Sequence, residues 1–259
     1  MFLAIDVGNT QTTLGLYDDE GTGLVGWRLA TDASDTSDML HAGLYSYFTK
    51  DGLSLDDVDD AGVACVVPVL TRAWSKCLEG ILGHEPCIIA GGPDCGIEVD
   101  LPDPSQVGAD RIANAVAAKE RYGAPVIVVD FGTATNIDVV DEKGAYRGGT
   151  IAPGVMLSAN ALFSRAARLS SVPVVAPSAA LGNSTETAVQ SGLVVGAAVQ
   201  AEGLVARIKH ELCIEDAPVI GTGGLANTVS AATDLFDEID PDLTLRGIRA
   251  IALAQNPEL

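Results

Sequence analysis

The chain has 259 residues, of which 47% are hydrophobic and 19% are charged, so it can bury the core of one large or two medium α/β domains. Its formal charge of −20 would be repelled by nucleic-acid phosphates and anionic membrane faces, which argues against DNA, RNA and lipid partners. The 5 cysteines form no CxxC pair and, with the 3 histidines, show no zinc-site spacing, which favours reduced thiols in a cytoplasmic protein.

The first half of the chain begins with an apolar strand that ends in a polar turn. Phe2–Ile5 runs into Asp6-Val7-Gly8-Asn9-Thr10, and two more strand-like runs follow, so we expect three antiparallel strands. Apolar periodicity then predicts a helix, a buried strand, a second helix, a short strand and a third helix, at Asp35–Lys50, Gly62–Val67, Leu70–Leu82, Cys87–Ala90 and Gly108–Tyr122.

The second half restarts the same pattern after Gly123. A strand over Pro125–Val129 ends in Asp130-Phe131-Gly132-Thr133-Ala134-Thr135, and strands over Asn136–Val140 and Tyr146–Ile151 follow. Helices are predicted over Gly154–Leu169, Thr185–Glu211 and Leu245–Ala254, and a short strand over Pro218–Ile220. Polar residues interrupt the longest apolar stretch, Ala188–Val205, which predicts a buried helix and no membrane span.

The two halves share an Asp-x-Gly turn at the end of their first strand. The aspartates are Asp6 and Asp130, separated by 130 − 6 = 124 positions, close to half of the chain. Asp and Gly favour turns in any protein, but two copies in matching strand contexts favour an internal duplication. Such turns expose backbone N–H groups to a phosphate, and their carboxylates can hold its cations. No P-loop and no Rossmann glycine pattern is present.

Seven short motifs occur in order along nearly the whole chain: Asp6-Val7-Gly8-Asn9-Thr10, Gly108-Ala109-Asp110-Arg111, Asp130-Phe131-Gly132-Thr133-Ala134-Thr135, Gly148-Gly149-x-Ile151-x-Pro153-Gly154, Thr185-x-x-Ala188-x-x-Ser191-Gly192, Thr222-Gly223-Gly224-Leu225 and Leu243-Thr244-Leu245-x-Gly247. Together they resemble the type III pantothenate kinases of the actin/Hsp70/sugar-kinase superfamily. The resemblance implies an α/β fold of two ribonuclease-H-like domains related by duplication, each a mixed sheet flanked by helices. We expect the domains at 1–122 and 123–259, with the last helix packing back across the cleft.

The resemblance also implies an activity and its site. The activity is ATP-dependent phosphorylation of pantothenate to 4′-phosphopantothenate, the first step of coenzyme A biosynthesis, with Mg²⁺ and a monovalent cation, K⁺ or NH₄⁺. Asp110 would be the catalytic base, and Asp130 would bind the monovalent cation. ATP would contact Thr133 and the first turn, which comprises Asp6, Val7, Gly8, Asn9, Thr10, Gln11, Thr12 and Thr13. Pantothenate would contact Gly108, Ala109, Asp110, Arg111 and Thr185, with Thr185 reaching in from the other subunit of a homodimer.

Each of these residues also has a purely structural interpretation. Asp110 would suit the first turn of any helix, because the helix dipole favours acidic residues there. Arg111 could pair with a surface carboxylate, or bind the pantothenate carboxylate or a phosphate. Thr185 or Ser184 could cap the following helix, and the local sequence favours that role for Thr185. The small residues Gly192, Gly196, Ala197 and Ala198 would permit close packing in a core or in a dimer.

The sequence departs from the family pattern at two places. Leu101 stands where an aromatic residue is usual near the substrate, and Asn136-Ile137 replaces the usual threonine and phenylalanine. Asn136-Ile137 still fits a strand. Leu101 is the one feature that favours another hypothesis, an ATP-binding regulatory protein that has lost the reaction. Retention of Asp6, Asp110 and Asp130 argues against that hypothesis. A kinase of the same superfamily with a different acceptor is the third hypothesis.

Overall fold

The computed structural model describes residues 1–92, 95–165 and 171–256. It divides into two compact units, Met1–Ala117 with Leu243–Leu259, and Ala118–Asp242. This division differs from the predicted boundary at 122/123. The third helix crosses the border between the units, and the C-terminal helix joins the first unit because it packs on the first two parallel strands there. The last four positions of the predicted helix over Gly154–Leu169 lie outside the described residues.

Ten strands are described, and nearly all match a predicted run within two or three residues. They are β1 (Phe2–Val7), β2 (Gln11–Tyr17), β3 (Gly23–Ala30), β4 (Asp60–Cys65), β5 (Cys87–Ile89), β6 (Val126–Phe131), β7 (Ala134–Val140), β8 (Tyr146–Pro153), β9 (Val219–Thr222) and β10 (Glu238–Ile239).

Within the described residues, eight α-helices connect and cover these strands. They are α1 (Ser37–Lys50), α2 (Pro68–Leu82), α3 (Ala109–Tyr122), α4 (Val155–Arg165), α5 (Thr185–Gln190), α6 (Gly196–Leu212), α7 (Ala226–Ser230) and α8 (Leu243–Gln255), with 3₁₀ turns at Leu55–Asp57 and Pro104–Gln106. The shortest α-helix, α7, and the shortest strand, β10, were not predicted from the sequence.

The two units have sheets with the same strand order. The first is β3-β2-β1-β4-β5 and the second is β8-β7-β6-β9-β10. In each sheet the hairpin strands are antiparallel, and the last two strands pair parallel to the strand before them. The predicted duplication is therefore confirmed, with a mixed sheet in each unit.

The repeat extends to single residues. From β1 to β6 the offset is 126 − 2 = 124, but the following turn is one residue shorter in the second copy, so β2 and β7 differ by 134 − 11 = 123. Both copies then have a register shift at the equivalent place, between Leu16 and Tyr17 and between Val139 and Val140. The next turns also match, because Asp18 Oδ1 accepts the Thr22 N–H at 2.7 Å and Asp141 Oδ1 accepts the Ala145 N–H at 3.0 Å.

One face of each sheet packs on helices through a hydrophobic cluster. In the first unit α1 contributes Leu40, Leu44 and Phe48, the stripe that its spacing predicts, and the Thr36 hydroxyl caps the helix by accepting the Met39 N–H. In the second unit the cluster joins β6, β7 and β9 to the helices that follow β8. All 5 cysteines lie in the described part of the chain and are free thiols.

Helices α3 and α8 cross at very short range in the first unit. A Cβ at Gly247 would lie 1.9 Å from the Ala113 carbonyl oxygen, so the crossing requires glycine. Beside it the Thr244 hydroxyl donates to Asn114 Oδ1 at 2.7 Å. The last of the seven motifs, Leu243-Thr244-Leu245-x-Gly247, thus has a packing role.

The segment Thr185–Leu212 is helical throughout, with a π-helical turn at Ser191–Val195 between α5 and α6. Among the described residues it is the one helix long and apolar enough, by length and composition, to cross a membrane. Its residues Ala198, Ala201 and Val205 are buried in the cluster of the second unit, and Val194 is also buried. The sequence predicts a buried helix, but only 33% of its most apolar stretch is buried, so the helix has one buried face.

Candidate active site

The first Asp-x-Gly turn closes the hairpin between β1 and β2. The Gly8 N–H donates to the Gln11 carbonyl oxygen at 3.1 Å, which leaves Asn9 and Thr10 exposed at the tip. A Cβ at Gly8 would lie 2.9 Å from that same oxygen, so glycine keeps the turn tight. Asp6 is half-buried and lies opposite Thr13 in the ladder. The turn therefore presents main-chain groups and hydroxyls beside a carboxylate, as a phosphate site requires.

Asp110 is placed at the same end of this sheet. It lies in the first turn of α3, and a Cβ on the preceding Gly108 would be 2.5 Å from Asp110 Oδ1 and 3.7 Å from Val66 Cγ1. Val66 in turn donates its N–H to the carbonyl oxygen of Val7 at 3.0 Å. This chain of contacts brings Asp110 to the carboxyl ends of β1 and β4, where the first Asp-x-Gly turn begins.

The environment of Asp110 raises the pKa of its carboxyl group. Burial is the main cause, because a low-dielectric surrounding disfavours the charged form. The backbone N–H of Arg111, which donates to Asp110 Oδ1 at 2.9 Å, and the positive charge of Arg111 oppose the shift. A carboxylate whose pKa is raised by burial is a stronger base than an exposed one, which suits proton abstraction from an alcohol.

The second Asp-x-Gly turn closes the hairpin between β6 and β7. The Gly132 N–H donates to the Ala134 carbonyl oxygen at 3.0 Å, and the Gly154 N–H donates to the Thr133 carbonyl oxygen at 3.2 Å. A Cβ at Gly154 would lie 2.3 Å from that oxygen, so the start of α4 approaches the turn too closely for any other residue. Thr133 is exposed on this turn, where its hydroxyl and main chain can contact a ligand.

Asp130 is enclosed by glycines on its own turn and on the turn after β9. A Cβ at Gly223, whose φ is +89°, would lie 2.3 Å from Asp130 Oδ1, and one at Gly132 would lie 3.4 Å away. Gly223 belongs to the motif Thr222-Gly223-Gly224-Leu225, from which no contact was predicted. Because glycine has no side chain, Gly132 and Gly223 leave space around the half-buried Asp130 carboxylate. That space fits a cation or a cation-bound phosphate.

The cap of the long helix is Ser184 and not Thr185. The Ser184 hydroxyl accepts the Thr187 N–H at 3.2 Å, and the Thr187 hydroxyl accepts the Ser184 N–H at 3.1 Å, which forms a capping box. The preference for Thr185 as the cap was therefore wrong. Thr185 is the first helical residue and is exposed, so its hydroxyl is available at a helix N-terminus.

The structure brings the Asp6 turn and the Gly108–Arg111 segment to one end of the first sheet. Asp130 and Thr133 belong to one turn of the second unit, and Thr185 is elsewhere in that unit. Among the described residues no group of three or more His, Cys, Asp and Glu side chains is arranged to hold a metal.

Comparison with known proteins identifies the family. A sequence model of the type III pantothenate kinases matches residues 2–207. A type III pantothenate kinase from Thermomicrobium roseum is 45% identical over 96% of each chain, and one from Agathobacter rectalis is 41% identical over 99% of this chain and 98% of its own.

Solved structures with lower identity share the fold. A conserved Campylobacter jejuni protein described as a Baf family transcriptional activator has a TM-score of 0.63 at 19% identity, covering 99% of this chain and 100% of its own. Component A of (R)-2-hydroxyglutaryl-CoA dehydratase from Acidaminococcus fermentans has a TM-score of 0.56 at 16% identity, covering 100% and 99%. Since the family match extends over most of the sequence and the repeated Asp-x-Gly hairpins stand in the described fold, the chain belongs to the type III pantothenate kinase family.

Proposed function

We propose that this chain transfers the γ-phosphoryl group of ATP to the primary hydroxyl of pantothenate, which gives 4′-phosphopantothenate in the first step of coenzyme A biosynthesis. The observation that carries the proposal is the position of Asp110. It is a carboxylate with a raised pKa at the sheet end that bears a phosphate-type turn. Family membership supplies the acceptor.

Asp110 acts as the base. The pantothenate hydroxyl oxygen attacks the γ-phosphorus, the bond from that phosphorus to the β,γ-bridging oxygen breaks, and ADP leaves. The hydroxyl proton passes to the Asp110 carboxylate. Because the transition state of phosphoryl transfer is loose, holding the alcohol in line matters more than base strength. The carboxylate occupies the space that a side chain at position 108 would need, since a Cβ there would lie 2.5 Å from Asp110 Oδ1.

The two turns hold the nucleotide. Main-chain and hydroxyl groups from Asp6 to Thr13 and at Thr133 contact its phosphates. Asp6 would hold Mg²⁺ directly or through water, and Asp130 would hold K⁺ or NH₄⁺. Bound cations neutralise the negative charge of the phosphates. The side chains of this chain supply little positive charge for that purpose, since Lys+Arg is only 15 against 35 for Asp+Glu.

Pantothenate binds at Gly108, Ala109, Asp110 and Arg111, with Thr185 from the partner subunit of a homodimer. The surface of the long helix supports the dimer. Gly192, Gly196 and Gly203 are exposed, follow one another at helical spacing and lie beside the exposed Val199. Such a stripe lets a second helix approach closely. We place the enzyme in the cytoplasm, where ATP is available.

A coupled ADP-release assay tests the proposal with pantothenate and with a panel of sugars, acetate and other hydroxy compounds. We expect ADP release that depends on pantothenate and on Asp110. ADP release with another acceptor alone would replace the proposed substrate. No ADP release with any acceptor, together with tight ATP binding, would favour a regulatory protein.

A further inference from the structure

The two equivalent hairpins differ in the polar groups beside their aspartates. In the first unit Asp6 lies opposite Thr13 on β2 and beside Ala64 on β4. In the second unit Asp130 lies opposite Asn136 on β7 and beside Thr222 on β9. The second copy therefore has an amide and a hydroxyl where the first has a hydroxyl and a methyl group.

Asp130, Asn136 and Thr222 share one face of the second sheet. Val129 precedes Asp130, Ile137 follows Asn136, and Val219 lies three residues before Thr222; all three belong to the hydrophobic cluster on the other face, because side chains alternate between faces along a strand. Residues directly opposite each other on neighbouring strands have Cβ atoms about 4.5–5.5 Å apart. Asn136 is thus within reach of a ligand that contacts the Asp130 carboxylate.

The Asn136 side chain has an unused acceptor. The residue is 9% exposed, and its Oδ1 atom is buried without a hydrogen-bond partner in the described part of the chain. A buried amide oxygen that lacks a partner is destabilising, and a bound cation would satisfy it. Neutral amide oxygens combined with a carboxylate are ordinary ligands for hard cations, and they also accept hydrogen bonds from ammonium.

We propose that Asn136 Oδ1 is a ligand of the monovalent cation held by Asp130, with the Thr222 hydroxyl beside the same carboxylate. This inference rests on the proposed function for the presence of the cation. Asn136 would then set the cation affinity of the second hairpin. The first hairpin has Thr13 at the equivalent position and therefore offers no amide there.

Direct titration with Tl⁺, a substitute for K⁺, tests this without any turnover. Tl⁺ binding is followed by ²⁰⁵Tl NMR at constant ionic strength in choline nitrate, with and without ADP. Asn136→Leu keeps the size of the side chain and removes the oxygen, so we expect its Tl⁺ affinity to fall by about tenfold or more.

Thr150→Val is the matched control. Thr150 Oγ1 is also buried without a partner, but Thr150 lies opposite Ile137, on the face away from Asp130. Its removal should leave Tl⁺ affinity unchanged. Asn136→Asp restores an oxygen and should bind Tl⁺ at least as tightly as the wild-type protein.

Equal Tl⁺ affinity of Asn136→Leu and the wild-type protein would overturn the proposal, as would failure of the wild-type protein to bind Tl⁺ in both conditions. Circular dichroism in choline nitrate confirms that each variant is folded. Because acceptor use does not enter the measurement, a wrong substrate assignment would leave the Tl⁺ result intact, and a wrong ligand assignment would leave the ADP-release result intact.

Discussion

The main chain of Gly223 lies directly against the carboxylate of Asp130. A Cβ at Gly223 would be 2.3 Å from Asp130 Oδ1, and its φ of +89° is strained for any residue with a side chain. We therefore expect Gly223→Ala to displace Asp130 and to weaken nucleotide and cation binding by at least about tenfold, which corresponds to about 1.4 kcal/mol of binding free energy. Isothermal titration with an ATP analogue measures the loss.

The neighbouring glycine provides the control for that substitution. A Cβ at Gly224 would meet no other atom within 4 Å, and its φ is outside the left-handed region. Gly224→Ala should bind the nucleotide analogue as the wild-type protein does. If Gly223→Ala also bound the analogue as tightly as the wild-type protein, the position of Asp130 would be unimportant for nucleotide binding.

The crossing of α3 and α8 should be sensitive to a single methyl group. At Gly247 a Cβ would lie 1.9 Å from the Ala113 carbonyl oxygen, which belongs to backbone and cannot rotate away. Because overpacking a close contact costs about 1–3 kcal/mol, Gly247→Ala should lower the free energy of unfolding by an amount in that range or above it. Denaturant titration followed by circular dichroism gives the value.

Gly43 is the matched glycine in a helix with space around it. It lies within α1, and a Cβ there would meet no atom within 4 Å. Gly43→Ala should raise the free energy of unfolding by roughly 0.5–1 kcal/mol, because alanine has the higher helix propensity. A loss of stability in both variants would contradict the packing argument.

Replacement of Asp110 by Asn should separate chemistry from folding. Asn has nearly the same shape and cannot accept the proton, so turnover should fall by at least about a hundredfold, the lower range of general-base contributions. The fold should persist, because burial of the charged carboxylate is the main cause of its raised pKa and thus opposes folding at neutral pH. Turnover near the wild-type value would exclude Asp110 as the base.

The raised pKa of Asp110 also predicts how activity depends on pH. The base must be ionised, so kcat at saturating pantothenate should fall as the pH drops through a value above about 3.9, the pKa of an exposed aspartate. The measurement is kcat against pH with ADP release as the readout. A profile that stays flat to about pH 4 would contradict the shift.

The same shift has a consequence for stability. The folded state binds this proton more tightly than the unfolded state, so the ionised Asp110 destabilises the fold above its raised pKa, and this penalty disappears as the pH falls. The difference in unfolding free energy between Asp110→Asn and the wild-type protein should therefore shrink toward acid pH. Urea titrations at several pH values measure it.

Ser184 and Thr185 should have different roles although they are adjacent. Ser184→Ala removes the helix cap and should lower the free energy of unfolding by about 1 kcal/mol. Thr185→Val leaves the capping box intact, so stability should hold while the KM for pantothenate rises. If Thr185→Val changed neither quantity, Thr185 would have no part in the substrate site.

Most elements of the fold were predictable because their signals are local. The helix α1 has its stripe and its cap in consecutive residues, and the hairpin strands alternate or run apolar as buried strands do. The elements missed lack such a signal. β10 has only 2 residues and exists because Glu238 pairs with Ile220 while Asp237 accepts the Val219 N–H at 2.8 Å.

For the candidate site, the sequence alone determined the residue types, their order and the family, because motif spacing is a property of the chain. The repeat of Asp6 at Asp130 was visible for the same reason. Tertiary structure decided which residues meet: Gly223 against Asp130, Gly247 against Ala113, and Asn136 opposite Asp130. These contacts join positions from different strands, helices and turns, and depend on register and on helix crossings, which no local pattern of side chains specifies.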